Sequence, residues 1–240
     1  MKLGIMQPYF FPYAGYFDLI LRTDRWIVFD TPQYIRHGWV NRNRILHPKS
    51  GWQYVSVPVK KHSREIAIKD VRIDNARQWK RRIFGQLEHY KKRARYYEST
   101  MNFLAECLDG EFVRLSELNV RCLRLVCAYL GIPFRFNMYS AMNLPVEPAK
   151  DSGDWALNIC KAMGASGYLN PPGGARLFDA DRFAAEGIEL EIQRFNNLAY
   201  DTRQYEFEAG LSIIDILMWI TPEEIRDSLM KANNDHASSR

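Results

Sequence analysis

Between Gly38 and Arg44 the chain reads Gly38-Trp39-Val40-Asn41-Arg42-Asn43-Arg44, two arginines alternating with two asparagines behind an indole. The guanidinium forks of Arg42 and Arg44 suit phosphate or carboxylate, and the amides of Asn41 and Asn43 suit the edge of a base, ribose or sugar. Trp39 can stack on a ring. The same pattern also fits a strand edge whose arginines merely face water. Just upstream, Asp30 stands at the end of an apolar run, where it can bind a hydroxyl, act as a base, or cap the next turn. The segment from Thr31 to His37 then supplies Gln33, Tyr34 and Arg36, a loop dense in hydrogen-bonding and cationic side chains.

Two further loops invite the same chemistry. Gln7-Pro8-Tyr9-Phe10-Phe11-Pro12-Tyr13-Ala14-Gly15-Tyr16 interrupts an apolar pattern with prolines, aromatics and a glycine. Gly173-Gly174, followed by Arg176, lies between a predicted strand and a predicted helix. Glycines there let main-chain amides approach an anion, and Arg176 adds a charge; a plain Pro-Gly turn is the alternative. The pattern matches neither the Walker motif nor the dinucleotide fingerprint. Further on, Ser212 is placed to cap a helix, and Asp215 sits on an otherwise apolar face, where a buried carboxylate needs a partner such as Arg42 or Arg44. Lys60, Lys61 and His62 form a basic loop after Pro58. His37, His47, His62, His89 and His236 never pair at ligand spacing, so no metal site is predicted. A serine nucleophile elbow, a Cys-His signature and a redox CxxC are all missing from the sequence.

These loops need elements to carry them. Lys2–Met6 and Trp26–Asp30 read as strands, with a helix from Phe17 between them, and polar loops after neighbouring strands are where α/β proteins bind ligands. Arg44–Pro48 and Trp52–Val59 flank Lys49-Ser50-Gly51 as a hairpin, and Glu65–Ile73 reads as a third, half-exposed strand. Helical patterns follow at Asn75–Ala94, Tyr97–Leu108 and Leu115–Leu130, the last closed by Gly131 and Pro133. Strands at Pro133–Asn137, Gly167–Asn170 and Ile188–Gln193 then alternate with helices at Asp154–Met163 and Leu177–Ala185, and a final helix opens at Leu211. The predicted fold is α/β: a doubly wound, mostly parallel five-stranded sheet with a β-hairpin insertion and an inserted helical lobe. Residues 1–240 are read as a single domain, with its core in 1–43 and 133–220, the β insertion in 44–73, the helical lobe in 74–131 and a disordered tail in 232–240.

Composition narrows the class. The 240 residues, 47% hydrophobic and 25% charged, suffice for a full core. The four cysteines, Cys107, Cys122, Cys127 and Cys160, have neither metal spacing nor the density of a disulfide scaffold, which points to buried thiols in a reducing compartment. No apolar run reaches the roughly 20 residues of a membrane span, and prolines near the N-terminus leave no signal-peptide core, so a cytoplasmic location is expected. The net charge of +5 is modest and partly local: Lys80, Arg81, Arg82, Lys91, Lys92, Arg93 and Arg95 share one predicted helix. That stripe could meet the phosphates of a nucleic acid or nucleotide; the plainer reading is a solvated face whose Trp79, Ile83, Leu87 and Tyr90 turn inward.

The order of several motifs resembles the WbqC-like family: Gln7-Pro8-Tyr9-Phe10-Phe11-Pro12-Tyr13-Ala14-Gly15-Tyr16-Phe17, then Phe29-Asp30, Gln33-Tyr34, Gly38-Trp39 and Asn41-Arg42-Asn43. The later blocks Gly164–Leu169, Gly173-Gly174, Gly187-Ile188 and Leu211–Asp215 extend the likeness over nearly the whole chain. The resemblance implies an association with bacterial surface-polysaccharide, or O-antigen, gene clusters. The opening also resembles, more loosely, the nucleotidyltransferase and pantothenate-synthetase (HUP-like) superfamily, whose His-x-Gly-His loop holds ATP phosphates at a helix start. Tyr13-Ala14-Gly15-Tyr16 would correspond, with glycine and helix dipole kept and both histidines replaced by tyrosine.

Together these imply a cytoplasmic transferase acylating the amine of a nucleotide-linked amino sugar, with ATP or an activated acyl donor as co-substrate. Tyr9, Tyr13 or Tyr16 with Asp30 would orient and deprotonate the amine, while Arg42, Arg44 and Arg176 hold phosphates. The alternatives are a non-catalytic nucleotide or nucleotide-sugar binding protein, and a protein that binds RNA, such as a charged tRNA, through the basic helix.

Overall fold

The structure is a computed structural model that describes the backbone of residues 1–237 and the side chains of residues 1–231. Strand β1 (Lys2–Met6), helix α1 (Ala14–Leu21) and strand β2 (Arg25–Val28) open the chain. Strands β3 (Arg42–Leu46) and β4 (Trp52–Ser56) form a separate antiparallel hairpin, and helices α2 (Trp79–Leu87), α3 (Tyr97–Leu108) and α4 (Leu115–Tyr129) follow. The chain then returns through β5 (Phe136–Met138), α5 (Ser152–Ala162), β6 (Gly167–Asn170), α6 (Ala180–Ala185), β7 (Glu189–Ile192), α7 (Ile213–Trp219) and α8 (Pro222–Ala237).

The main sheet has five parallel strands in the order β5-β2-β1-β6-β7. Counting only these strands along the chain, the order is 3-2-1-4-5, so direction of winding reverses between β1 and β6. In such sheets the crevice beyond the C-terminal ends of those two strands receives ligands.

Both faces of the sheet are covered, as a parallel sheet requires. Leu3 and Ile5 of β1, Ile27 of β2 and Tyr168 of β6 point to one face, where Leu157, Ile159, Cys160 and Phe183 of α5 and α6 cover them. Trp26, Val28 and Leu169 point to the other face, into the larger core that includes α1, α3, α4 and α7. Gly4 is required there: a Cβ would stand 2.5 Å from the Trp26 ring.

Several expected elements are corrected. Glu65–Ile73 is not a strand; it holds a 3-10 turn at Ile68–Asp70 and only isolated bridges to Gln33, Val59 and Arg114. Its apolar alternation breaks at Lys69-Asp70, and burying Ile68, Val71 and Ile73 together demands a turn. The helix expected over Asn75–Ala94 is broken: Gln78 takes a φ of +39°, α2 ends at Leu87, and a 3-10 turn follows at Glu88–Tyr90. The basic residues therefore do not share one helix, although Trp79, Ile83, Leu87 and Tyr90 are buried as a solvated-face reading requires. Strand β5 begins only at Phe136, and the stretch from Pro172 to Leu177 is a 3-10 segment preceding α6. α7 is not the last helix, since α8 follows. Of the tail expected to be disordered, 232–240, the backbone as far as Ala237 belongs to α8; the remainder lies outside the described residues.

Candidate functional site

The loop leaving β1 is laced in place by buried amides and hydroxyls. The Asn43 side chain donates to the Phe10 and Phe11 carbonyls at 3.1 and 3.0 Å, and Ser212 Oγ donates to the Phe11 carbonyl at 2.7 Å. Asn119 Nδ2 bridges the Pro8 and Val40 carbonyls at 2.8 and 2.7 Å. Phe11, at a φ of +40°, can turn the chain because these donors hold its carbonyl. The start of α7 joins the lacing, its Ser212 and Ile213 amides donating to the Arg44 and Pro12 carbonyls.

This lacing shapes a cleft of about 310 Å3 lined by Tyr9, Tyr13, Trp39, Asn43, Arg44 and Asn197. On β3, Arg44 faces it, while Asn43 is buried at its inner edge with its amide spent on the β1 loop. The Arg44 guanidinium lies 5.4 Å from the Trp39 ring and 5.2 Å from that of Trp52, and its Nη2 donates to the Gly210 carbonyl at 3.2 Å. Its Nε is buried and has no acceptor among the described residues. The phenols of Tyr9 and Tyr13 are pushed above the usual tyrosine value, first by burial and then by neighbouring Tyr13 and Asp18 respectively. At neutral pH both are therefore O–H donors rather than bases.

The start of α1 is covered by aromatic rings. Tyr13 packs edge-on to Phe195 at 6.0 Å, and a Cβ on Gly15 would stand 2.4 Å from the Tyr13 ring and 2.8 Å from Phe195. Gly15 thus makes room for two rings at the helix start. Tyr16 does not reach the cleft; it is fully buried, its hydroxyl donating to the Gln7 carbonyl at 2.8 Å. Asp30 is also elsewhere, buried beyond β2 and accepting from Ser140 N and Oγ at 3.0 and 2.6 Å.

The remaining candidates divide into groups. Tyr34, Arg36, Asn41 and Arg42 line a second, basic cavity, and Gln33 donates to the Arg64 carbonyl at 2.7 Å. Gly173, Gly174 and Arg176 stand beyond β6 on the same sheet edge as the β1 loop but do not line the cleft. Gly174 lets the segment close on Asn170, whose Nδ2 would be 2.6 Å from a Cβ there. Ser212 caps α7 as expected, accepting from Ile214 N. Asp215 is buried, and its partners are not arginines: Leu46 N, Trp219 Nε1 and the hydroxyls of Tyr90 and Tyr200 donate to it. Burial raises its carboxyl to about 6 against the pull of those donors. Asn119, Asn197 and Gly210 were not signalled by the sequence: none belongs to a charged or glycine-paired motif. Among the described residues no group of His, Cys, Asp or Glu could hold a metal ion, and no helix is long and apolar enough to cross a membrane.

Sheet order, loop-built cleft and covered faces define a doubly wound α/β protein with its candidate site beside the first strand's C-terminal end. A family model described as the WbqC-like protein family matches residues 7–227, and the chain belongs to that family. It is 31% identical over 229 residues to uncharacterized protein Rv1507c of Mycobacterium tuberculosis (strain ATCC 25618 / H37Rv), covering 92% of this chain and 95% of that protein. No solved structure matches the chain.

Proposed function

We propose that the protein is a transferase of surface-polysaccharide biosynthesis that forms an amide on the amine of a nucleotide-linked amino sugar, by acyl or aminoacyl transfer. Family membership supports the coarser statement, a polysaccharide-cluster-associated protein. The observation that carries the reaction is the cleft, where an indole, two protonated phenols and a fixed guanidinium converge. In this reading Trp39 covers the sugar ring and Arg44 and Asn197 hold its polar substituents. Tyr9 and Tyr13 donate to the carbonyl oxygen that gathers charge as the amine attacks. The amine's proton passes to water, since no carboxylate lines the cleft among the described residues. As the carbonyl re-forms, the bond between the acyl carbon and the donor's leaving group breaks, and that group departs with its electron pair into solvent.

The test is incubation of the protein with nucleotide-linked amino sugars and activated acyl donors, with and without ATP, read by mass spectrometry. A product heavier by the acyl group, lost in Tyr13→Phe and in Arg44→Ala with at most a slight fall in melting temperature, supports the reading. Undiminished turnover in both variants would sink it.

One observation favours the rival reading, a nucleotide-sugar binding protein without catalysis. Of the two tyrosines expected at the helix start, Tyr16 is fully occupied by the Gln7 carbonyl. Ligand-induced stabilisation with no product under every donor condition selects that reading.

A further inference from the structure

A second cavity, about 430 Å3, lies beside the cleft along β3, lined by Arg42 where the cleft is lined by Arg44. Its wall gathers Arg36, Arg42, Lys60 and Lys61 with His37 and His62, and includes no Asp or Glu among the described residues. Four like charges converging on one concavity repel one another unless an anion sits among them. Arg42 is held ready: its guanidinium lies 3.9 Å from the Tyr54 ring centre and Nη2 donates to the His37 carbonyl. Its Nε is buried with no acceptor among the described residues. A permanent cation with a buried, unsatisfied N–H is costly, and an anion in the basin would satisfy it.

We propose that this basin is a diphosphate site. A monophosphate carries about −1.5 to −2 near neutral pH and presents it at one phosphorus, which leaves much of a wall set by Arg36, Arg42, Lys60 and Lys61 unmatched. A diphosphate spreads its oxygens over two phosphorus atoms that can meet Arg42 and the lysines together, and free pyrophosphate adds further charge. Arg42 and Arg44 are two residues apart on one face of β3, about 7 Å by strand geometry. One substrate can therefore place its diphosphate by Arg42 and its ring by Trp39. That link to the cleft rests on the proposed function; anion binding itself rests on the basin. The diphosphate has two candidate sources, a nucleoside diphosphate ester or free pyrophosphate.

Calorimetric titration of the full chain at about 0.15 M salt tests this. Inorganic pyrophosphate is expected to bind at least about tenfold tighter than orthophosphate. Lys60→Ala/Lys61→Ala, at exposed positions, should weaken it at least about tenfold without changing the melting temperature, and Lys60→Arg/Lys61→Arg should restore it. Asn197→Ala in the cleft should leave pyrophosphate binding unchanged, so that failure of the cleft's chemistry is read apart from failure of the basin. UDP and ADP distinguish the source: binding tighter than pyrophosphate assigns a nucleotide, equal or weaker binding assigns free pyrophosphate. Equal pyrophosphate affinity in the double alanine variant, or no preference over orthophosphate, overturns the proposal.

Discussion

Asn43, buried on β3, donates its side-chain amide to the carbonyl of Phe11 across 32 residues of chain, at 3.0 Å. That single contact ties the hairpin to the loop that opens the sheet's ligand-binding edge. Phe11 holds an unfavourable positive φ, and its neighbour's carbonyl depends on the same amide. Asn43→Ala should leave one buried carbonyl unsatisfied and free the other's strained turn, lowering unfolding free energy by about 2 kcal/mol. Urea denaturation measures this. Ser212→Ala, which removes a second donor to Phe11, should act in the same direction, and the two losses should be non-additive because they share an acceptor.

The Asp215 carboxyl, at about 6, is raised from its ordinary 3.8 chiefly by burial. The folded state therefore binds a proton that the unfolded state has released between about pH 4 and 6. Its contribution is fully present below pH 3.8 and is lost as pH rises through about 6, a swing of about 3 kcal/mol at 1.36 kcal/mol per unit. The check is the difference in unfolding free energy between wild type and Asp215→Asn across that window, since other carboxylates cancel in the difference. Wild type should lose stability relative to the variant as pH climbs, and a flat difference would refute the shift.

How far the sequence reveals this molecule depends on whether a pattern is local. Tyr97–Leu108 and Gly167–Asn170 coincide with their predicted bounds because each buries one regular stripe or run. Glu65–Ile73 resembles a strand until Lys69-Asp70 breaks the alternation, and only the partners supplied by Asp30, Pro32 and Val113 show that it turns. The cleft was half legible. Tyr9, Tyr13, Trp39 and Arg44 advertise themselves by type, whereas Asn197 and Gly210 lie in an irregular stretch with no periodic signal. Asp30 was expected beside the tyrosines; a buried carboxylate instead takes its donors from Ser140, 110 residues away, a pairing no local pattern displays. Asp215 likewise drew tyrosine and tryptophan donors rather than arginine, because Arg44 is held by indole rings and the Gly210 carbonyl.

The cysteines permit a test of the core. Cys107, Cys122, Cys127 and Cys160 are all buried, and desolvation pushes the Cys107 and Cys160 thiols up to about 12. Thiolate, the reactive form, is therefore suppressed at neutral pH. An aromatic disulfide reagent should label none of the four on the minute timescale in the folded protein and all four in denaturant. Rapid labelling of one thiol without denaturant would mean that its surrounding helices open locally.

Arg44 separates charge from shape in the cleft. Lysine keeps the charge but has neither the planar face that lies between Trp39 and Trp52 nor the fork that reaches the Gly210 carbonyl. Arg44→Lys should therefore weaken a cleft ligand about tenfold or more, comparable to the loss of one charge-assisted contact of about 1.5–3 kcal/mol. Melting temperature should fall only slightly, because the side chain is half-exposed and the backbone lacing through Asn43 and Ser212 remains. Pyrophosphate binding in the Arg42 basin should persist, since Arg42 rests on Tyr54 rather than on the indoles. Ligand titrations of Arg44→Lys with a nucleotide-linked amino sugar and with pyrophosphate, run side by side, decide the matter: equal losses for both would mean that the guanidinium plane shapes cleft and basin together, and a loss confined to the sugar ligand would show that the cleft alone uses it.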